Sequence, residues 1–240
     1  MSERQIEGRR PVIEALRSGR DVSEIRIAQT ATGVDDIRRL ASRKGVKVRS
    51  VPREEIDKIA KSRAPQGVVA IVSGFAYVSV DEMVDNATEP ALVVALDGIT
   101  DPGNLGAVAR SAEAAGAHGL IIPERRAASV GPTADKASAG ALEHLPVARV
   151  VNLQRALHDL GEHGVWIVAL DAGAEDTIYD LTVAADPLCL VVGGEGSGVS
   201  RLVRERADYR VRIPMSGRVA SLNAAAAAAV ALFEIRRRRS

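Results

Sequence analysis

Uninterrupted apolar runs follow one another through the second part of the chain, and they restrict its fold more than any other feature. They read ALVVAL, GLIIP, VWIVAL, LCLVV and VRIP, and stretches with helical spacing separate them, starting near Leu105, Thr133, Asn152, Ser200 and Ser221. A strand that is apolar on both faces is buried on both, which is typical of parallel sheets covered by helices. Residues 91–240 are therefore predicted to form an α/β domain.

The first part of the chain has a different rhythm. Helical patterns at 10–18, 34–45 and 53–60 alternate with the shorter runs EIRIAQ, VKVRSV and VVAIVSG. This order predicts a compact αβαβαβ unit. The polar stretch AYVSVDEMVDNATEP then interrupts the alternation. We therefore predict a small N-terminal αβ domain at residues 1–74, a linker at 75–90 and the larger domain from residue 91.

Charge is divided unevenly between the two parts. Residues 1–75 contain 16 Lys and Arg against 10 Asp and Glu, whereas the rest of the chain contains 16 against 21. The two parts therefore differ electrostatically, which suggests two domains with different partners. Aromatic residues make up only 2% of the chain, so a sheet that stacks bases on aromatic side chains is not expected. Contacts with nucleic acid must come from Arg, Lys and the backbone.

Several classes of protein are excluded by composition. A single cysteine, Cys189, cannot form an intramolecular disulfide, and the four scattered histidines show no zinc-ligand spacing. The longest apolar run, residues 224–233, is far shorter than the roughly 20 residues that span a bilayer, and the N-terminus is charged. We expect a cytoplasmic protein with no signal peptide, membrane segment or metal.

The first informative turn reads LDGITDPGNLGAVARSAEAAG. Ligands of open α/β sheets bind beyond the carboxyl ends of the strands, and here the strand ends at Asp97. Asn104 is a plausible N-cap of the helix that follows. Its predicted buried stripe consists of Leu105, Val108, Ala109 and Ala112. Arg110 points away from that stripe, either toward a site or toward solvent with Glu113 as its partner.

The second turn, LCLVVGGEGSGVS, has four glycines within six residues. It fails the G-x-G-x-x-G spacing because Val199 stands where the third glycine is required, which leaves a nicotinamide-dependent dehydrogenase with little support. Glycines allow a backbone to approach a flat ligand closely, and Glu195 lies among them. A tight turn with a solvated glutamate is the alternative interpretation.

The third turn, RIPMSGRVASLNAAAAAA, precedes an Ala-rich helix predicted over residues 222–239. Ser221 could cap this helix, which would place Asn223 in its first turn. Arginines at residues 236–239 suggest a solvated helix end favoured by the helix dipole, with phosphate binding as a second interpretation. No G-x-S-x-G turn or pair of catalytic carboxylates accompanies these motifs, so hydrolysis by those routes is unsupported.

Together, NLGAVARSAEAAG, LVVGGEGSG and IPMSGRVASLN resemble, in this order, the three motifs of the SpoU/TrmH branch of the SPOUT RNA methyltransferases. GRRPVIEALRSG and PQGVVAIV resemble the substrate-binding domain, ribosomal protein L30e-like, of the branch that methylates a guanosine ribose in 23S rRNA. The resemblance implies an S-adenosylmethionine-dependent ribose 2′-O-methyltransferase of rRNA processing. It also implies a deep trefoil knot in the C-terminal domain and a homodimer whose active site is completed across the interface.

The resemblance also assigns residues. Those matching catalytic and substrate-site positions are Asn104, Arg110, Glu195, Ser221 and Asn223. Gly193, Ile213 and Leu222 match cofactor positions, with Gly194 and Met215 close by. Candidate phosphate contacts in the basic first domain are Arg9, Arg10, Arg43, Lys44 and Arg63. Because a guanidinium has a pKa above about 12, Arg110 is expected to stabilise a developing oxyanion rather than to act as a base.

Two other functions are compatible with the same motifs. One is a ribose methyltransferase that acts on tRNA, which would differ mainly in the N-terminal unit. The other is a non-catalytic RNA-binding or ribosome-assembly protein on the same fold, although the full set of polar motif residues argues against it.

Overall fold

A computed structural model describes residues 4–18, 22–61, 65–72, 75–219 and 221–240. Its strands are β1 (Arg4–Glu7), β2 (Val22–Ala28), β3 (Lys47–Val51), β4 (Val68–Val72), β5 (Leu92–Asp97), β6 (Gly119–Pro123), β7 (Val147–Val150), β8 (Trp166–Leu170), β9 (Asp176–Thr177), β10 (Leu188–Gly193) and β11 (Tyr209–Arg212). Its helices are α1 (Arg9–Arg17), α2 (Asp35–Arg43), α3 (Arg53–Ile59), α4 (Val80–Asp85), α5 (Pro102–Ala114), α6 (Pro132–Ser138), α7 (Leu153–Glu162), α8 (Arg201–Arg206) and α9 (Ala224–Arg239).

The first sheet has the strand order β1-β4-β2-β3. Strands β2 and β3 are parallel, whereas β4 runs antiparallel to both β1 and β2. Helices α1 and α2 cover one face, and Ile56 of α3 packs on the other. All six elements predicted for this unit are present, and the prediction missed only β1. That strand has a single apolar residue, Ile6, which is fully buried.

The second sheet has the order β7-β6-β5-β10-β8-β11-β9, and every neighbouring pair is parallel. Alternate side chains of β5 pack into the hydrophobic cores on opposite faces of the sheet. Leu92 and Val94 pack with α5 and α9 on one face, whereas Val93 and Ala95 pack with α7 and α8 on the other. The prediction of a parallel sheet covered on both faces is confirmed. Strands β7 and β9 were not predicted.

The segment predicted as a linker is ordered where the structure describes it. Ser79 caps α4 by accepting a hydrogen bond from the N–H of Glu82 at 3.2 Å. Met83 is buried, and Gly119 of β6 makes room for it, because a Cβ at Gly119 would lie 2.3 Å from the Met83 sulfur. Residues 75–90, which we predicted as a linker, therefore include a helix packed on the second sheet.

The two sheets meet where α6 and the turn after it contact α1 and β1. Glu14 of α1 lies 3.2 Å from Nε2 of His144. Gly140, at φ +102°, lies so close to Glu14 that a Cβ would be 2.4 Å from its Cγ. The basic N-terminal unit is thus attached beside α6, which itself packs on α5.

The arginines at the end of α9 are bound to the protein. Arg239 donates to the backbone carbonyls of Pro90 at 2.5 Å, Ala184 at 2.9 Å, Asp186 at 2.5 Å and Ala91 at 3.3 Å. Arg236, Arg237 and Arg238 contact Glu89, Glu234 and the carbonyl of Tyr179. The interpretation as a solvated end holds for Arg237, which is exposed and pairs with Glu234 of its own helix. Arg236, Arg238 and Arg239 instead fasten α9 to segments that precede β5 and β10.

Candidate functional site

Three loops meet beyond the carboxyl ends of the central strands. They follow β5, β10 and β11, and they carry Asn104, Glu195 and Asn223. Strands β5 and β10 are parallel neighbours with Asp97 opposite Gly193, so their following loops leave the sheet side by side. The structure thus brings three predicted site residues together at the edge where open α/β sheets bind ligands.

Asn223 is the N-cap of α9. Its Oδ1 accepts hydrogen bonds from the N–H groups of Ala225 at 2.9 Å and Ala226 at 3.3 Å. The cap was predicted at Ser221, two residues earlier, so that prediction is wrong. Asparagine satisfies the free N–H groups of the first turn as well as serine does. Capping fixes the amide orientation and directs Nδ2 into the site.

Asn104 was predicted as an N-cap, but Asp101 caps α5 instead. The Asp101 carboxylate accepts a hydrogen bond from the Asn104 N–H at 2.8 Å. Asn104 therefore lies inside the first turn, and its side chain is free to face the other loops. Pro102 follows the cap, at a position where proline costs the helix no hydrogen bond.

The three side chains form a closed hydrogen-bonded network. Nδ2 of Asn104 donates to Oε1 of Glu195 at 3.0 Å, and Nδ2 of Asn223 donates to Oδ1 of Asn104 at 3.0 Å. Asn223 also donates to the same Glu195 oxygen. The second carboxylate oxygen, Oε2, has no hydrogen bond with any residue in the described part of the chain. The network therefore holds a glutamate in place and leaves one acceptor oxygen available.

The glycines after β10 allow the loops themselves to approach one another. A Cβ at Gly193 would lie 2.0 Å from the carbonyl carbon of Gly198, and one at Gly194 would lie 2.5 Å from the Gly98 oxygen. The N–H of Gly194 donates to the carbonyl of Asp97 at 2.9 Å. The sequence predicted that these glycines let a ligand approach the backbone closely. At Gly193 and Gly194 the space is instead taken by the backbone of Gly198 and Gly98.

A cavity of about 480 Å³ opens between the loops that follow β8, β10 and β11. Predicted residues that line it are Gly193, Gly194, Glu195, Ile213, Met215, Ser221, Leu222 and Asn223. This volume lies within the range of about 300–1,000 Å³ that is usual for small-molecule and cofactor sites. The predicted cofactor positions thus share one cavity with three of the predicted catalytic residues.

The cavity wall carries free backbone donors. Within residues 4–18, 22–61, 65–72, 75–219 and 221–240, the N–H groups of Ile213, Met215 and Leu222 donate to no other group. Backbone groups without a partner in the protein must bind water or a ligand. With the partly exposed side chains of Met215 and Leu222, they form a wall suited to a flat, apolar ligand with polar edges.

Arg110 does not join this cluster. It is exposed on α5, does not line the cavity, and forms no hydrogen bond or ion pair with residues that the structure describes. The buried stripe predicted for α5 is confirmed, because Leu105, Val108, Ala109 and Ala112 are all 0% exposed. Neither Glu113 nor Glu195 pairs with Arg110 in the described chain. Glu195 is held by two asparagines instead.

The predicted phosphate contacts are dispersed over the N-terminal unit. Arg9 donates to the carbonyl of Thr32 at 3.1 Å and so supports a turn. Arg10, Arg43 and Lys44 are exposed and have no partner among the described residues. Arg10 lies at the start of α1, whereas the other two lie at the end of α2. Arg63 lies outside the described residues.

Sequence reasoning missed further residues around the cavity. They are Leu170 at the end of β8, Asp171 and Ala172 after it, Arg212 at the end of β11, and Ser197 in the glycine loop. Arg204 braces this loop by donating to the carbonyl of Val199 at 3.1 Å, and it lies 3.7 Å from Asp171. The signal that could have found Asp171 is its position directly after a buried parallel strand.

Two negative findings apply to the residues that the structure describes. No group of three or more His, Cys, Asp and Glu side chains is placed to hold a metal ion there. None of the helices in that part of the chain has the length and apolar character needed to cross a membrane.

The single cysteine, Cys189, is fully buried in β10, and burial raises the pKa of its thiol to about 12.

Two family models match the chain in succession. The SpoU rRNA methylase family matches residues 91–233, and the RNA 2′-O ribose methyltransferase substrate-binding family matches residues 5–78. A TrmH-family tRNA/rRNA methyltransferase of Bacillus subtilis is 40% identical over 238 residues, covering 97% of this chain and 95% of that protein.

Solved structures show the same architecture. The SpoU methyltransferase AviRb of Streptomyces viridochromogenes, in complex with S-adenosylmethionine, has a TM-score of 0.86 and 31% identity over 99% of this chain and 90% of its own. An S-adenosylmethionine-bound rRNA methyltransferase of Sinorhizobium meliloti has a TM-score of 0.81 and 29% identity, covering 98% of this chain and 87% of its own. A TrmH/SpoU tRNA-modifying enzyme of A. aeolicus covers only 67% of this chain and 80% of its own, with a TM-score of 0.57 and 28% identity.

Proposed function

Because the chain belongs to the SpoU/TrmH family of S-adenosylmethionine-dependent RNA ribose 2′-O-methyltransferases, we propose that its target is a guanosine ribose in 23S rRNA. The observation that carries the chemistry is the network of Asn104, Glu195 and Asn223 beside the cavity. The N-terminal unit supports the proposal that the target is ribosomal RNA. The rRNA methyltransferase structure matches the chain with this unit included, whereas the tRNA-modifying enzyme leaves a third of the chain unmatched.

The cavity residues fit the cofactor. Free backbone N–H groups of Ile213, Met215 and Leu222 suit the polar edge of an adenine, and the side chains of Met215 and Leu222 suit its flat faces. When bound, S-adenosylmethionine supplies a methyl group activated by a sulfonium. We assign Gly193, Gly194, Ile213, Met215 and Leu222 to its binding.

The chain's own polar residues position the ribose. The free Oε2 of Glu195 can accept a hydrogen bond from a ribose hydroxyl, and Asn104 and Asn223 hold that carboxylate in place. The exposed Ser221 at the cavity edge can donate to the sugar or to its phosphate. The 2′-hydroxyl gives up its proton, for which Oε2 of Glu195 is the available acceptor. The oxygen carries negative charge until its bond to the methyl carbon forms and the bond from that carbon to the sulfonium sulfur breaks. We assign the stabilisation of that charge to the guanidinium of Arg110, which can donate hydrogen bonds to it.

Arg110 can reach such a charge if two chains share each site. Arg110 lies six residues beyond Asn104 on α5, about 9 Å of helix rise, and it does not line the cavity of its own chain. We therefore propose a homodimer in which each chain provides Arg110 to the other. Supporting this proposal, Ala226, Val230 and Phe233 form an exposed stripe along α9, with Phe233 51% exposed. Large apolar side chains on one helix face are typical of a protein interface. The trefoil knot remains a further prediction of the family assignment.

The basic N-terminal unit would bind the RNA backbone. Arg10, Arg43 and Lys44 are the free cations among the predicted contacts that the structure describes, and we assign phosphate binding to them. Arg9 contributes mainly through the Thr32 turn. An rRNA target also favours a location in the cytoplasm.

The test is to incubate the purified protein with methyl-labelled S-adenosylmethionine and total RNA from a host that lacks the gene. Ribose methylation is then mapped at nucleotide resolution. We expect one labelled guanosine in 23S rRNA. Label in tRNA alone would retain the chemistry and overturn the target. Glu195→Gln should abolish labelling of the same site.

A further inference from the structure

The loop of residues 124–131 lies next to the segment that carries Asn104. It follows β6, the parallel neighbour of β5, so both following loops emerge at the same edge of the sheet. The N–H of Ala128 donates to the carbonyl of Ile99 at 2.8 Å. Residues 124–131 are thereby fastened to the segment that leads into Asn104.

This loop presents two adjacent cations. Arg125 and Arg126 are exposed, and neither forms a hydrogen bond or an ion pair with any part of the chain that the structure describes. Arg149 differs, since it contacts Glu124 at 3.9 Å. The adjoining catalytic loops carry Asp97, Asp101 and Glu195, which would repel a polyanion. Unpaired arginines at this edge would offset that repulsion.

The backbone at Arg126 is in an unfavourable conformation. Its φ is +55°, in the left-handed region that glycine and asparagine adopt more easily than other residues. Residues held in that region are concentrated at functional sites. A long cationic side chain at such a position is better explained by ligand binding than by local stability.

We propose that Arg125 and Arg126 bind phosphates of the RNA strand that enters the methyl-transfer site. The loop lies between the Asn104 segment and α6, and α6 contacts the basic N-terminal unit. Cations from both parts of the chain would thus contact one continuous strand. The inference rests on the proposed function, which supplies the RNA.

The test compares two double variants that remove the same charge. Arg125→Gln with Arg126→Asn removes the proposed contacts and keeps a residue that tolerates positive φ. Arg206→Gln with Arg210→Gln is the control, because these arginines are also exposed, lack ion pairs within the described ranges and lie toward the opposite edge of the sheet. Binding of an unmodified 23S rRNA transcript is measured from 50 to 200 mM KCl, roughly the range over which phosphate contacts dominate the salt dependence.

For the first variant we expect an approximately tenfold weaker affinity and a salt slope smaller by about 1.4–1.8, as two lost phosphate contacts require. KM for RNA should rise while kcat stays within about twofold, and the affinity for S-adenosylmethionine should not change. The melting temperature should be no lower than that of wild type. The control should bind like wild type.

Equal RNA binding by the two double variants would overturn the proposal, and so would a fall in kcat with KM unchanged. If wild type binds the transcript through these arginines but methylates no RNA, the proposed function fails and the phosphate site stands. If wild type binds no RNA at all, both fail.

Discussion

At the scale of single residues, Asn223 combines two tasks that separate atoms perform. Its oxygen caps α9, and its nitrogen donates into the Asn104 and Glu195 network. Sequence reasoning found both Ser221 and Asn223 but assigned the cap to the wrong one, because either residue type can cap a helix. The strand-end rule located the correct edge of the sheet. Only the folded structure shows which side chains meet there, since Asn104 lies 91 residues before Glu195 and 119 before Asn223.

Two substitutions at Asn223 should separate capping from catalysis. Asn223→Ser retains a capping oxygen but lacks the amide nitrogen, so we expect near wild-type stability and methyl transfer reduced by about 10²-fold. Asn223→Ala loses both functions and should also lower the free energy of unfolding by about 1 kcal/mol. Urea unfolding and methyl transfer to 23S rRNA are the measurements. Full activity of Asn223→Ser would remove the amide from the mechanism.

At the scale of elements, two helical glycines differ in the space around them. Gly106 of α5 faces α6, where a Cβ would lie 2.3 Å from the Ala134 oxygen, whereas Gly161 of α7 has open space around it.

The hydrophobic patterns of the sequence predicted most helices and buried strands, but they could not predict which strands are neighbours in the sheets. Short β1, β7 and β9 were missed because their few residues carry too little periodicity, and their stability comes from neighbouring strands.

The same substitution should therefore have opposite effects at these glycines. Gly161→Ala should stabilise the protein by about 0.5–1 kcal/mol through helix propensity. Gly106→Ala has the same propensity gain but must separate α5 from α6, so we expect a net loss of about 1–3 kcal/mol. Thermal unfolding of both variants measures the difference. Similar stabilisation of both would show that the close contact between α5 and α6 can relax without cost.

His118 makes stability depend on pH at the junction of α5 and β6. Its Nδ1 accepts a hydrogen bond from the N–H of Leu92 at 3.0 Å. Burial lowers the pKa of His118 below its ordinary value, Arg239 lowers it further, and Glu89 opposes both. The unfolded chain therefore binds a proton at higher pH than the native one. Stability should fall as pH decreases below about 6.5, until the native histidine also becomes protonated.

Asn at this position offers an acceptor oxygen that does not titrate. We expect the melting temperature of wild type to fall more steeply than that of His118→Asn between about pH 7 and pH 5, where histidine is the main titrating side chain. Parallel melting curves over that range give the comparison. Identical slopes would assign the acid sensitivity to groups other than His118. His163 is not such a group, because the carbonyl of Asp159 raises its pKa and its protonation therefore favours the native state.

At the scale of the whole molecule, the cavity and Arg110 lie apart within one chain. Family resemblance predicted that the site is completed between chains, and no property of a single sequence could have located the missing contact. Motif residues near the cavity were predictable because each motif follows the carboxyl end of a parallel strand of the same sheet. In the homodimer that we propose, the contact of Arg110 with the site depends on how α5 of one chain meets the other chain, which periodicity does not encode.

Mixing inactive variants should test this arrangement. Arg110→Ala and Glu195→Gln are each expected to be inactive alone. If two chains share each site, heterodimers have one intact site, so random mixing restores about a quarter of wild-type activity. The mixture is refolded together, and methyl transfer is compared with each variant refolded separately. Absence of restored activity would place Arg110 in the site of its own chain.

The position of α9 in the chain also sets an order in time. All strands of the second sheet end by Arg212, yet Asn223 completes the site and Arg239 ties the helix to Pro90 and Asp186. During synthesis, which adds about 5–20 residues per second, the sheet segments leave the ribosome before these two residues do. A nascent chain paused before residue 223 would contain every strand but would lack Asn223, which closes the network with Asn104 and Glu195. We therefore expect no methyl transfer until α9 has left the ribosome.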